Sequence, residues 1–460
     1  MTQLTYKEHF NRTFNLAYPV MLSQLGQVLV GVADSMMVGR LGAVPLAAAS
    51  LANSIFFVVL MFGIGISMAI TPLVAAADGQ GKGKRIAKLF KHAFVINMFA
   101  GLIMFLIILM AAPSLNFMNQ PEEVVQLAIP YLAIITLSLI PFMFFQTFKQ
   151  FAEGLSQTKQ AMVITVFCNL INVFLNWLLI YGEMGFPALG LNGAGWATLI
   201  SRVLMGAIIF YYVWNSKRYT QYKIGFGFKK LSFPMISKML KIGIPTGFQF
   251  VFEVGAFSAA AIMMGWIGVN ALAAHQIAIN LASISYMMAS GLSAAAMVRV
   301  GNQLGRNDIK TLREAGFTIF GMVALFMFCF AIIFIVFRNF LPTLYIDELP
   351  VIEMTASLLI IAGFFQLSDG IQVVGLGALR GMSDVKVPTL VTLVAYWVLG
   401  LPLGYFFSFY LGMAEQGIWY GLLIGLTSTG VMLLYRFHKL SNRLLVQQNS
   451  ILKVKSPTEI

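Results

Sequence analysis

Residues 19–48 read PVMLSQLGQVLVGVADSMMVGRLGAVPLAA, and residues 245–274 read PTGFQFVFEVGAFSAAAIMMGWIGVNALAA. Set one above the other, they share Pro19 with Pro245, Gly42 with Gly268, and Leu46, Ala47 and Ala48 with Leu272, Ala273 and Ala274, all 226 positions apart. The register continues outward: Gly65, Ser67, Val74, Gly79, Lys84 and Phe94 recur as Gly291, Ser293, Val300, Gly305, Lys310 and Phe320. Further on, at an offset of 227, Gly154, Ser156 and Lys159 recur as Gly381, Ser383 and Lys386. A duplicated bundle places a cavity on the axis between its halves, where many transporters hold their substrate. Transport is therefore the first functional expectation.

The chain has 460 residues, of which 59% are hydrophobic and only 10% charged. Its mean hydropathy is +0.84. Soluble domains carry about 25% charged residues, so this chain lacks the polar material to cover a water-facing surface. Its apolar runs are of spanning length, since about 20 helical residues cross the hydrocarbon core. They lie near 14–38, 44–76, 91–113, 124–148, 160–182 and 190–214, then 236–264, 270–298, 315–337, 350–378, 387–411 and 416–437. The expected fold is all-α and integral to the membrane, with twelve transmembrane helices in two pseudo-symmetric six-helix lobes, residues 1–222 and 223–460. An even number of spans per half gives both halves the same orientation, so their axis runs along the membrane normal.

Charge sets the orientation. With both termini cytoplasmic, all but Arg40, Arg338 and the intramembrane Arg202 of the 30 Lys and Arg residues fall on the cytoplasmic side. Lys82, Lys84, Arg85, Lys88 and Lys91 crowd one loop, and seven basic residues from Lys217 to Lys241 lie in and just after a polar linker, 215–231, that contains Gly225 and Gly227. The opposite loops hold mainly acids, including Glu122, Glu123, Glu183, Asp347, Glu348 and Glu415. This is the positive-inside pattern. The net charge of +13 is thus a topology signal, and its dispersal over short loops excludes a nucleic-acid-binding domain. The opening MTQLTYKEHFNR is polar, and the apolar run after it exceeds a signal-peptide core, so an uncleaved first helix is expected.

Chemistry-bearing motifs are few. Cys168 and Cys329 lie in separate spans with no partner at a motif spacing, so neither a disulfide framework nor a metal site is expected. No GxxxxGK[ST] loop is present, so no nucleotide cofactor is expected and the energy must come from a gradient or a partner.

The informative residues are the polar ones inside apolar spans. Asp34, Glu253 and Asp369 each carry a cost of roughly 2.5–3.5 kcal/mol near a helix centre, and such residues face a bundle interior or a water-filled cavity. Burial disfavours the charged form of a carboxyl, which makes each a candidate proton carrier. Their oxygens suit hard cations equally well. Asp34 lies near the outer end of span 1, about 30 Å along the helix from Phe14, so its bland alternative is an acid reaching the interface. Glu253 lies nearer the middle of span 7. Asp369 is deep in span 10, where Gln366 and Gln372, three residues to either side, share its stripe and the Ser368 hydroxyl is adjacent. Asn169, Asn172 and Asn176 form one face of span 5, suited either to a cavity wall or to interhelical hydrogen bonding. Span 8 offers His275, Gln276 and Asn280, the histidine reading more simply as a packed core residue than as a relay. Pro19 and Pro245 occupy matched places in spans 1 and 7, where each removes a backbone donor and bends its helix. Pro402 is a third such position. The 40 Phe and 27 Met residues can furnish an adaptable apolar cavity.

Six stretches carry a resemblance: residues 18–43 (YPVMLSQLGQVLVGVADSMMVGRLGA), 170–182 (LINVFLNWLLIYG), 190–198 (GLNGAGWAT), 243–254 (GIPTGFQFVFEV), 271–280 (ALAAHQIAIN) and 377–388 (GALRGMSDVKVP). Together, in order and across both halves, they resemble the multidrug and toxic compound extrusion (MATE) transporters, in their NorM-like branch. The resemblance implies two six-helix lobes around a cleft that alternates between inward- and outward-open states. It also implies export of small organic, often cationic and amphipathic compounds in exchange for Na⁺ or H⁺, from the bacterial plasma membrane. In that family the acid matched by Asp34 binds the coupling ion or proton in the amino-terminal lobe. Those matched by Glu253 and Asp369 hold the coupling cation, Na⁺ among the candidates, in the other lobe. Asn172 matches a polar position of the first lobe. In the DinF-like branch an acid follows that asparagine four residues later; the Asn176 found here disfavours a two-aspartate site and supports the NorM-like assignment. Asn172, Asn176, Gln276, Asn280 and Gln372 are then candidate cavity-lining residues, and Pro19 is the candidate bending point of span 1.

Two other readings compete. A lipid-linked precursor flippase of the same superfamily would need a cationic cavity for its pyrophosphate, whereas the intramembrane candidates here are acids with the single cation Arg202. An integral-membrane enzyme would need clustered His, Asp or Cys side chains, and the chain's 4 histidines are scattered. One chain already holds both halves, so a monomer is the expected working form.

Overall fold

The computed structural model describes residues 5–117, 120–222 and 231–455, with side chains to residue 450. Among them there is no strand. Twelve helical segments are long and apolar enough to cross a membrane: span 1 Tyr6–Gly39, span 2 Ala43–Gly79, span 3 Gly83–Phe117, span 4 Glu122–Gly154, span 5 Thr158–Tyr181, span 6 Leu191–Asn215, span 7 Phe233–Ile267, span 8 Val269–Arg306, span 9 Ile309–Val336, span 10 Leu349–Gly381, span 11 Lys386–Tyr410 and span 12 Ala414–Ser450. Every apolar run read from the sequence corresponds to one of them. Of the expected linker, residues 223–230, with Gly225 and Gly227, lie outside the described residues; the short helix Lys217–Thr220 precedes them.

Span 1 starts earlier than its apolar run because Thr5 and Glu8 form a capping box. The Thr5 amide donates to Glu8 Oε2 at 2.7 Å, and the Glu8 amide donates to Thr5 Oγ1 at 3.3 Å. Outer faces are apolar. On span 3, Phe99, Ile103, Leu106 and Met110 are exposed at helical spacing while Met104 and Ile108 are buried. That arrangement suits a helix whose solvent is lipid.

Spans 1 and 7 run as continuous helices through Pro19 and Pro245, as does the first part of span 4 through Pro130, whereas Pro72, Pro141 and Pro402 accompany irregularities. Span 2 breaks at Met68, four residues before Pro72, and span 4 breaks at Ser138, three residues before Pro141. At both breaks a serine hydroxyl bonds back to an isoleucine carbonyl: Ser67 Oγ to Ile64 O at 2.7 Å and Ser138 Oγ to Ile135 O at 2.5 Å. Val298 stands opposite Pro72 in the repeat, and spans 8 and 10 run unbroken. Span 11 contains two π-helical segments, Val394–Gly400 and Phe406–Tyr410, on either side of Pro402.

The duplication is visible in the backbone. Ser156 and Ser383, matched in the repeat, both adopt a left-handed φ of 60°. Their amides donate to Glu153 O and Arg380 O, each at 2.8 Å. Just before them, a Cβ on Gly154 would stand 2.9 Å from Val74 Cβ, and one on Gly381 would stand 3.1 Å from Val300 Cβ. The same close approach, between repeat-related residues, thus occurs in both halves.

Two compact units form. One comprises Leu22–Val74 and Gly81–Val251; the other comprises Met1–Met21, Ala75–Gln80 and Phe252–Ile460. Spans 1, 2 and 7 therefore contribute to both. In the first unit the core gathers around Phe56, Leu60, Met104, Leu132, Phe142 and Met143. In the second it gathers around Leu292, Ile319, Val323, Leu379 and Phe437, with Ala17 and Met21 of span 1 built in. There the start of span 1 is held by Arg299, whose Nη1 donates to His9 O at 2.9 Å and to Thr13 Oγ1 at 2.6 Å. The ends of spans 2 and 8 cross within the same unit through a reciprocal contact: Gly79 abuts Asn302 O and Gly305 abuts Ala76 O. Asn302 Nδ2 donates to Asp78 Oδ2 at 2.9 Å beside that crossing.

Candidate functional site

In the first unit, span 5 presents Asn172 and Asn176 to span 1. Asn176 Nδ2 donates to Asp34 Oδ1 and also to Asn172 Oδ1, the latter at 3.2 Å. Asn176 is wholly buried, whereas Asp34 is half-buried. Two further contacts fix this pairing of helices. The Tyr181 hydroxyl donates to Met37 O at 2.8 Å, and Asn169 packs where Gly26 leaves room, its Nδ2 3.2 Å from the place a Cβ would take. The three-and-four spacing of the asparagines thus faces the acid of span 1.

Arg202 of span 6 reaches the break in span 4. Its Nη1 donates to Ser138 Oγ at 2.7 Å, and its guanidinium lies 5.2 Å from the Phe56 ring centre and 4.8 Å from that of Phe142. A cation desolvated between aromatic faces is held there by their quadrupoles.

In the second unit, Glu253, Asp369, Gln366 and Gln372 are all buried. Gln372 Nε2 donates to Glu253 Oε1 at 3.3 Å, and the Tyr396 hydroxyl donates to Gln372 Oε1 at 2.9 Å. A relay therefore runs from span 11 through span 10 to span 7. Asp369 lies within electrostatic reach of Glu253, and Glu253 within that of the Arg380 guanidinium. The Gln366 amide finds no partner among the described residues. Ser368, adjacent to Asp369 in sequence, turns away to Thr427, with the hydroxyls 2.8 Å apart.

Span 8 sorts its polar residues by face. Gln276 and Asn280 are exposed and joined by a 3.4 Å bond. His275 is buried and accepts from Trp419 Nε1 at 3.2 Å, which fits the packing role.

Some site residues escaped the sequence reading. Span 4 extends to Gly154 rather than ending near 148, so Glu153 is a further buried acid, with Lys149 Nζ 4.0 Å from its Oε1. Lys149 one turn earlier made that end of the helix look like a loop. Gln150 beside them accepts from Thr71 Oγ1 at 2.6 Å. The repeat itself held the signal, because Glu153 and Arg380 precede the matched Gly154 and Gly381. The principal acids, in contrast, are not repeat equivalents. Asp34 aligns with Ala260 and Glu253 with Gln27, positions separated by about 10 Å of helix.

A duplicated twelve-span helical bundle with buried carboxyls in each unit has the construction of a transporter. A sequence profile described as MatE matches residues 19–178 and 245–406, once in each half and starting at the repeated prolines. The chain belongs to this MATE family, as a NorM-like member. It is 35% identical over 440 residues to a probable multidrug resistance protein NorM of Agrobacterium fabrum, covering 95% of each chain. It is 33% identical over 433 residues to the multidrug resistance protein MdtK of Yersinia pseudotuberculosis, covering 93% of this chain and 95% of that one. The fold matches the crystal structure of the eukaryotic MATE transporter AtDTX14, with a TM-score of 0.85 at 20% identity over 96% of this chain and 99% of that one. It also matches a MATE transporter in its bent conformation, with a TM-score of 0.88 at 20% identity over 96% and 97% of the two chains.

Proposed function

We propose that this chain is a secondary active multidrug exporter, which moves organic, often cationic and amphipathic compounds out of the cell by alternating access in exchange for Na⁺ or H⁺. The observation that carries this reading is the buried carboxyl pair Glu253 and Asp369, with Glu253 bonded to Gln372 and Gln372 to Tyr396. Two acids that repel each other in a low-dielectric site are relieved by a proton or a cation, and carboxylate and amide oxygens are suitable ligands for a hard ion. An organic cation and the coupling ion compete for this charge. Binding the inward-moving ion then favours the state that has released its cargo, and the ion's differential affinity for the two states sets the coupling. Asp34, held by Asn176, is the corresponding acid of the first unit, and Asn172, Gln276, Asn280 and Gln372 line the path. Pro19 is the bending point of span 1.

The names of the relatives, multidrug resistance proteins, support a broad range of small organic substrates. The distribution of Lys and Arg supports a plasma-membrane protein with both termini in the cytoplasm. The halves 1–222 and 223–460 are the alternating lobes, and one chain suffices for the cycle. The test is efflux of a fluorescent organic cation from proteoliposomes under a Na⁺ gradient and, separately, a proton gradient. Efflux under one gradient, lost in Glu253→Gln and Asp369→Asn, is the expected result and names the ion. Failure of both gradients to move any organic cation contradicts the reading.

A further inference from the structure

Span 11 is the irregular helix of the second unit, and its irregularity lies beside Glu253. Pro402 lacks an amide hydrogen, so the regular i→i−4 ladder cannot close around it. The backbone instead forms the π-helical segment Val394–Gly400, in which bonds run over five residues. Glycines hold this segment on span 12: an added Cβ on Gly421 would strike Gly400 O and Gly404 Cα, and one on Gly400 would stand 3.5 Å from Gly425 Cα. A π turn holds an extra residue, which rotates the later side chains by about 100° relative to a regular helix. Here two consecutive side chains, Tyr396 and Trp397, both engage span 7.

Tyr396 is completely buried. Its ring packs on Phe257, with centres 6.1 Å apart, and its hydroxyl donates to Gln372, whose amide donates to Glu253. Trp397 donates from Nε1 to the carbonyl of Phe252 at 3.0 Å, and its ring edge covers Gly255, standing 3.1 Å from where a Cβ would be. Glu253 is thus bracketed. Its carboxyl is oriented through Gln372, and the backbone on either side of it is fixed by one indole. Gln372 has a single carbonyl oxygen and a single NH₂ group. With the oxygen committed to the Tyr396 hydroxyl, the NH₂ is the end that faces Glu253.

We infer that Tyr396 and Trp397, presented by the π segment of span 11, are positioning residues for Glu253 that set its affinity for the driving cation. The inference rests on the reading of Glu253 as part of the coupling site. Neither residue touches the ion. Tyr396 sets which end of Gln372 the carboxyl meets, and Trp397 sets where span 7 carries it.

The test measures organic-cation efflux from proteoliposomes at graded concentrations of whichever cation drives transport, Na⁺ or H⁺. It compares the wild type with Tyr396→Phe, Trp397→Phe, Glu253→Gln and, as a control on the same span, Tyr405→Phe, whose ring is largely outward. A neutral hydrogen bond contributes about twofold to tenfold in affinity. Tyr396→Phe and Trp397→Phe are expected to raise the half-saturating concentration of the driving cation by that factor, with maximal rate at saturation retained and Tyr405→Phe unchanged. A half-saturating concentration unaltered in both variants, or a fall in maximal rate alone, while Glu253→Gln abolishes transport, overturns the inference. Undiminished transport by Glu253→Gln overturns instead the site reading on which it rests.

Discussion

Gly79→Ala and Gly305→Ala probe the crossing of spans 2 and 8 from its two repeat-related sides. At Gly79 the nearest atom to an added Cβ is the Asn302 carbonyl oxygen, and at Gly305 it is that of Ala76. Neither obstacle is the tip of a flexible side chain, so the methyl is accommodated only by moving one helix off the other. Overpacking of this kind costs about 1–3 kcal/mol. At 1.4 kcal/mol per tenfold, the crossed arrangement loses roughly five- to hundredfold in population against arrangements in which the helices part. Gly321→Ala is the internal control, because nothing lies within 4 Å of its Cβ position. There the gain in helix propensity, about 0.5–1 kcal/mol, has no steric cost to offset it. The assay is thermal denaturation of the purified protein in one detergent, monitored by loss of the monodisperse peak on size-exclusion chromatography. Both crossing variants are expected to denature at lower temperature than the wild type, by similar amounts, and Gly321→Ala at the same or a higher temperature. Wild-type stability in both crossing variants, or a loss confined to one of them, would refute the reciprocal backbone contact.

Two other outcomes are expected from particular contacts. Arg299→Met removes the charged donor that holds His9 O and Thr13 Oγ1, leaving buried acceptors without it; a loss of roughly 2–4 kcal/mol is expected, read as faster cleavage near the start of span 1 in limited proteolysis, with Arg299→Lys in between. Asn176→Ala removes the amide that donates to Asp34 and should slow efflux about tenfold under a limiting gradient. If the two residues act as one unit, the double variant with Asp34→Asn is no slower than Asp34→Asn alone.

The repeat and the spans were legible because both depend on properties a sequence displays directly. Gly42 and Gly268, or Gly154 and Gly381, recur at a fixed offset, and a run long enough to cross a bilayer is visible as composition. Pairing was partly legible: the spacing of Asn172 and Asn176 gave one face of span 5, and that face meets Asp34. Other features depend on what a neighbouring helix does. Ser368, one turn before Gln372, turns to Thr427 because span 12 offers it a hydroxyl partner there. Glu153 was hidden by its own partner, since Lys149 one turn away made an apolar helix end read as loop. Tyr396 could not be placed from periodicity, because a π turn shifts the phase on which such counting relies. Pro402 marked that place in the sequence without revealing how the backbone would answer it.

Counterflow reports whether Glu253 and Asp369 couple cation entry to export. Proteoliposomes are given a gradient of a fluorescent organic cation and no ion gradient, and movement of Na⁺ (as tracer) or H⁺ (as internal pH) is recorded for the wild type and Glu253→Gln. The organic cation is expected to drive one of these ions in the opposite direction, and Glu253→Gln to abolish this flux. Movement of the organic cation without any counter-ion flux, or an equal counter-flux in Glu253→Gln, would contradict that coupling.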